Sequence, residues 1–245
     1  MRRTLFTMAC AAVIAGIAST ATAASYKVVE VTGGGTITGS VSAGDNEPVV
    51  KSYTISKDPE ICGKGTRDVE FVRINNGMIQ DAVVFLEKVK QGKPFPEDLG
   101  SITLIQEGCK FIPPISVMQN KGDLIAVNDD PTLHNIHAYE LIGKARRTVM
   151  NVSQPTKGDT VTKQIKVRKG NGLKIECDAH DFMHGFVFMA KNPYFAFVDE
   201  NGAFRIDDVP PGTYKIKVWH GYLGEIDGGE VVVSAGGEAS VDLSY

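Results

Sequence analysis

Along most of the chain apolar and polar residues alternate with a period of two, and Gly, Pro, Asn and Asp interrupt the alternation at short intervals. That pattern predicts short strands joined by turns. Gly35-Thr-Ile-Thr-Gly-Ser-Val41 reads as a strand with turn residues at both ends. Residues 68–74 alternate, and Asn75-Asn-Gly77 turns the chain toward the apolar run Ala82–Leu86. Pro94, Pro96 and Gly100 mark a loop, after which strands are expected over 111–118 and 123–127. Residues 164–167 and 173–177 flank a turn at 169–172, and further strands are expected over 185–189, 195–198, 204–206, 214–219 and 231–233. One stretch, 140–149, has a weak helical reading that Gly143 opposes. The expected fold class is all-β, built as sandwiches.

Length and charge divide this fold. At 245 residues the chain exceeds a usual domain of about 100–150 residues. Residues 1–23 read as a secretion signal: Arg2-Arg3, an apolar run through Ile17, and the small-residue site Ala21-Thr22-Ala23. Thr7 and Gly16 break the run, which is short for a membrane span of about 20 residues, so cleavage near Ala23 is expected over anchoring. Arg2 and Arg3 would leave with the signal, moving the formal charge from −3 to −5. The mature protein is expected in the periplasm or outside the cell, with no membrane span. A pI near 6.0 and the lack of a Lys/Arg run argue against nucleic-acid binding. Residues 24–190 carry twenty Lys/Arg and twenty Asp/Glu, whereas residues 191–245 carry four and nine. The acidic excess therefore lies in the tail, which points to a separate module that would attract any basic partner.

Export also changes the cysteine arithmetic. Cys10 leaves with the signal, and Cys62, Cys109 and Cys177 remain, an odd number for an oxidising compartment. One economical arrangement pairs Cys62 with Cys109, closing a loop worth about 4 kcal/mol, and leaves Cys177 for chemistry. Three free thiols are the alternative.

Chemistry-bearing residues gather in two places: Leu133-His134-Asn135-Ile136-His137, and Cys177-Asp-Ala-His180-Asp-Phe-Met183-His184. In Leu173-Lys-Ile-Glu-Cys177 the thiol shares the apolar face of Leu173 and Ile175. The next strand starts just past Met183, so His180 and Met183 lie on one short loop beside Cys177. His134 and His137 point to opposite faces if extended, so only one can join the same centre. A thiolate, two imidazoles and a thioether suit copper; zinc is the main competitor but rarely uses Met. Motifs for conventional catalysis are absent, and five histidines are too few for a multicopper oxidase.

At these residues the sequence resembles the cupredoxins, or blue copper proteins, of the amicyanin and pseudoazurin type. Leu133-His134-Asn135-Ile136-His137 is similar to their first ligand motif, and Cys177-x-x-His180-x-x-Met183 to their compact ligand loop. Residues 109–128 look like the two preceding strands. The resemblance implies a Greek-key β-sandwich holding one type 1 copper on His134, Cys177, His180 and Met183. Asn135 would tie the two ligand loops together. His137, His184 and Met189 are possible extra ligands, and Leu133 stands where the family has Pro. The resemblance also implies a solvent-facing His180 edge where redox partners meet, such as a c-type cytochrome or a periplasmic oxidoreductase. His184 would be a second exit or a solvated surface ring, and His220 is expected to be structural.

The segment from Phe195 to His220, with Asn201-Gly202 and Pro210-Pro-Gly212 turns, resembles the carboxypeptidase regulatory-like, or prealbumin-like, sandwich modules. Their first strand looks like Gly35–Val41. The expected organisation is a signal over 1–23, N-terminal strands over 24–65 packing with the tail, a copper domain over 66–190, and a smaller β module over 191–245. The module would either orient the copper domain or serve docking. The expected function is periplasmic single-electron transfer, not enzymatic catalysis. The alternatives are copper binding or delivery, or a structural interaction protein.

Overall fold

A computed structural model describes residues 26–245, so the expected signal over 1–23 lies outside the described residues. The described residues are nearly all β and close around two apolar cores. Among the described residues no helix is long and apolar enough to cross a membrane.

The first core lies between two sheets. One runs Phe111–Ile112, Ser101–Gln106, Asp123–Asn128, Thr160–Gln164; the other runs Ile115–Gln119, His184–Ala190, Gly172–Glu176, His134–Ile142, Ala145–Gln154. Alternation decides what faces inward. In Asp123–Asn128, Leu124, Ala126 and Asn128 are buried while their neighbours are partly exposed. They meet Ile136, Ala138, Leu173, Ile175 and Val187 from the facing sheet. The expected turn at 169–172 therefore joins two sheets; it does not close a hairpin. The stretch 140–149 is not helical. It spans a hairpin in which His134–Ile142 pairs antiparallel with Ala145–Gln154, and Gly143 takes the positive φ of 56° that the turn needs.

The second core lies between the sheet Phe195–Phe197, Ala82–Leu86, Gly212–His220, Gly224–Val233 and the sheet Ala203–Val209, Gly35–Ser42, Met78–Ile79, Ile74–Asn75. Glu238–Ser240 and Leu243–Ser244 add in parallel to Gly35–Ser42. Gly39 permits this, because a Cβ there would overlap the backbone of Val241.

Two segments depart from the expected division. Ala82–Leu86, inside the span assigned to the copper domain, is a central strand of the second sandwich, between Gly212–His220 and Phe195–Phe197. All five of its residues are buried because both faces are covered. Val84 and Leu86 enter the second core, and Val83 and Phe85 face a seam with Val117, Phe188 and Trp219 of the two sandwiches. The ring of Phe188 sits 5.0 Å from Phe85 and 5.5 Å from Trp219. The hairpin Val49–Thr54/Thr66–Val72, expected in part to follow the tail, straddles the molecule. Val49 and Val72 join the second core, whereas Tyr53, Ile55, Ile61 and Val69 pack on the first. His220 is buried in the second sandwich, its Nδ1 accepting from the N–H groups of Tyr222 and Leu223 at 3.2 Å. Burial pushes it down to about 4, so it is a neutral structural acceptor.

Candidate metal centre

His134 opens its strand and is fully buried, its ring turned between the two sheets. Cys177 follows Gly172–Glu176 on the face of Leu173 and Ile175, and all three are buried. The loop then turns tightly, with the N–H of His180 donating to the Cys177 carbonyl at 3.3 Å and that of Met183 to the His180 carbonyl at 3.1 Å. This turn aims the His180 ring back at the thiol. His134 Nδ1 and His180 Nδ1 lie 3.2 Å apart, with Cys177 Sγ 3.9 Å from the first and 3.7 Å from the second. Those separations suit three donors sharing one ion at bond lengths of about 2.0 Å to nitrogen and 2.3 Å to sulfur.

The far side of each ring explains why the near sides converge on one point. His134 Nε2 stands 2.8 Å from Asp130 Oδ2, and His180 Nε2 stands 2.9 Å from Asp58 Oδ2. Burial would raise the Asp130 carboxyl, but the N–H groups of Cys109 and Gly108 and the His134 ring outweigh it and hold it below the usual range. The hydrogen bond to His180 likewise lowers Asp58. Burial, joined by the neighbouring His180, pushes His134 below its ordinary value despite Asp130, so that ring is neutral near pH 7. A neutral imidazole that donates through Nε2 presents a bare lone pair at Nδ1. The His134 lone pair faces His180 Nδ1 at 3.2 Å, a spacing at which a proton or a cation between the two nitrogens is favourable. The donor set thus fits a soft metal ion.

Burial pushes the Cys177 thiol up, opposed by the backbone N–H groups of Asn135, Ala179 and His180 near its sulfur. Asn135 also links the two ligand segments, its Oδ1 accepting from the Asp178 N–H at 3.2 Å. Met183 is buried in the same cluster as Cys177 and Phe182.

The other candidates point elsewhere. His137 faces outward, its Nδ1 2.9 Å from Asp178 and its Nε2 3.0 Å from Thr148 Oγ1. His184 turns from Met183 toward Tyr53, whose hydroxyl is 3.1 Å from its Nε2, and toward the ring of Phe71 at 4.9 Å. It is not a surface ring, its side chain being 10% exposed; burial, with Lys174, pushes it down to about 4. Met189 lies five residues further along the strand, roughly 17 Å from His184, in the middle of the first core.

The expected solvent-facing His180 edge is closed: that side chain is 0% exposed. The segment between the hairpin strands lies over it, with Asp58 on Nε2 and the one-turn helix Pro59–Cys62 behind. Cys62 is disulfide-bonded to Cys109, and a sulfur of each lies within 4.8 Å of a His180 ring nitrogen. Arg67 donates to the carbonyls of Cys109, at 2.6 Å, Gly108 and Cys62, and stacks over Phe182 at 4.8 Å. Sequence reasoning missed Asp58, Asp130 and Arg67. Asp130 carried a signal, four residues before His134 in a Pro-containing loop; Asp58 carried none.

Comparisons with known proteins add the following. A family model described as polysaccharide lyase family 4, domain II, matches residues 189–241, where a carboxypeptidase regulatory-like module was expected. No curated protein sequence matches the chain. Among solved structures, a purple cupredoxin from Nitrosopumilus maritimus is similar at 17% identity and a TM-score of 0.31, over 36% of this chain and 98% of that one. Amicyanin from Paracoccus versutus is similar at 18% identity and a TM-score of 0.30, over 39% of this chain and 84% of that one. A copper-containing nitrite reductase from Thermus scotoductus SA-01 is similar at 15% identity and a TM-score of 0.30, over 42% of this chain and 24% of that one.

Proposed function

We propose that the chain is a type 1 copper protein that passes single electrons between redox partners in the periplasm, without catalysis of its own. The observation that supports this most directly is the convergence of His134 Nδ1, His180 Nδ1 and Cys177 Sγ, with both distal nitrogens held by carboxylates. Copper, when bound, supplies a one-electron couple. His134, Cys177 and His180 would hold it, with Met183 as the weak fourth donor. Buried side chains and the two carboxylates keep the imidazoles from turning, so the ligands need not rearrange as the charge changes. The surrounding core and the segment carrying Asp58 exclude water. The second sandwich would hold the copper half in a fixed orientation through the Phe85–Phe188–Trp219 seam.

The test is to add Cu(II) to the purified mature protein and record its visible spectrum. An intense thiolate-to-copper band, bleached reversibly by ascorbate and lost in Cys177→Ser, is expected. A colourless protein that binds Cu(I) would overturn electron transfer in favour of copper delivery. No copper binding would leave a structural role.

A further inference from the structure

The surroundings of the site close it on two sides. The segment Asp58–Cys62 and its disulfide cover the His180 edge. On the outer face of the five-stranded sheet, Phe186 and Phe188 lie under Phe85 and Trp219 of the second sandwich. The other half of that face bears His137, Tyr139, Arg146 and Thr148, and among the described residues no element pairs beyond its edge strand Ala145–Gln154.

That open half connects to Cys177. Asp178 follows Cys177 directly, and its carboxylate is 2.9 Å from His137 Nδ1. The Tyr139 hydroxyl is 2.8 Å from the same nitrogen, the two rings stack at 4.0 Å, and the Arg146 guanidinium lies 4.3 Å over Tyr139. The chain of contacts runs from the buried sulfur to an arginine whose side chain is 53% exposed. The local charge is opposite in sign to that of the whole protein. On this face Lys144, Arg146 and Lys174 stand against Glu176 and Asp178, whereas the full chain is at −3.

We propose that this half-face, centred on His137, Tyr139 and Arg146, is where an acidic one-electron redox protein docks and where electrons reach Cys177. It deepens the copper reading and rests on it. In the step one electron leaves the partner, which is oxidised, and reduces the centre; no bond forms or breaks. Positive charge around Arg146 steers the acidic surface. The contact through His137 and Asp178 then shortens the tunnelling distance.

Two measurements test this on the full mature chain. First, hexacyanochromate(III), an inert paramagnetic anion, is titrated into metal-free protein and amide NMR line-broadening is mapped. Broadening is expected at residues 137–148; none, or broadening centred on Lys57 and Lys64, would overturn the proposal. Second, the Cu(I) protein is oxidised by hexacyanoferrate(III) at low ionic strength. Arg146→Glu and Lys144→Glu should each slow oxidation by about tenfold, with Lys64→Glu unchanged. Lys144 lies at the turn and spares the Arg146–Glu176 pair, so a loss seen only in Arg146→Glu, or in neither, refutes steering here. If the protein takes up no copper, the functional reading fails on its own terms, while the anion map still reports on the surface.

Discussion

Replacing Glu140 by Gln should loosen the scaffold that positions both ligand segments. Glu140 lies on the strand opened by His134 and is fully buried. Its Oε1 accepts from the N–H groups of Arg168, Lys169 and Gly170 at 2.7, 2.6 and 3.1 Å, in the loop leading to the Cys177 strand. Its Oε2 takes the guanidinium of Arg147. Burial would raise this carboxyl, but those donors outweigh it and hold it at about 2, against an ordinary 4.5. By linkage that gap is worth about 3 kcal/mol of folded-state stability. The sign is that of a depressed carboxylate. The contribution is complete above pH 4.5, declines as the unfolded chain takes up the proton first, and is gone below about 2. Glu140→Gln should thus cost about 3 kcal/mol at pH 7, and the two stability curves should converge as pH falls from 4.5 toward 2. Urea titrations read by Trp219 suit this, because the single tryptophan packs on Gly172, beside the loop in question. A loss below about 1 kcal/mol at pH 7, or a gap that stays constant down to pH 3, would refute the reasoning.

Two further outcomes follow from particular contacts. Cys62→Ser/Cys109→Ser should lose about 4 kcal/mol, the value for a closed loop of 47 residues, and wild type in reductant should melt like the variant; a melt within about 2 °C of oxidised wild type would contradict this. Gly172→Ala would put a Cβ 2.5 Å from Trp219 Nε1, so it should cost about 1–3 kcal/mol and shift the tryptophan emission, and unchanged emission would show that the seam yields without strain.

What could be read without coordinates was local. Cys177, His180 and Met183 lie within seven residues of one loop, so their spacing already limits how they can converge. Strand alternation put Cys177 on the face of Leu173 and Ile175 and separated His134 from His137, because side-chain direction along a strand has period two. The same logic failed where burial came from both sides. Ala82–Leu86 reads as an apolar run whichever sandwich owns it, and only pairing with Gly212–His220 decides. Residues 140–149 misled because Glu140 is buried for a tertiary reason, its bonds to a loop 28–30 residues away. Asp58 and His180 are 122 residues apart, and no periodicity links them. Alternation alone says which side of each strand is buried, and spacing says which donors share the ligand loop. What does the burying depends on the packing of distant segments, since any apolar or carboxylate-bearing surface of the right shape satisfies the same pattern. That choice closed the His180 edge and left the His137 face open.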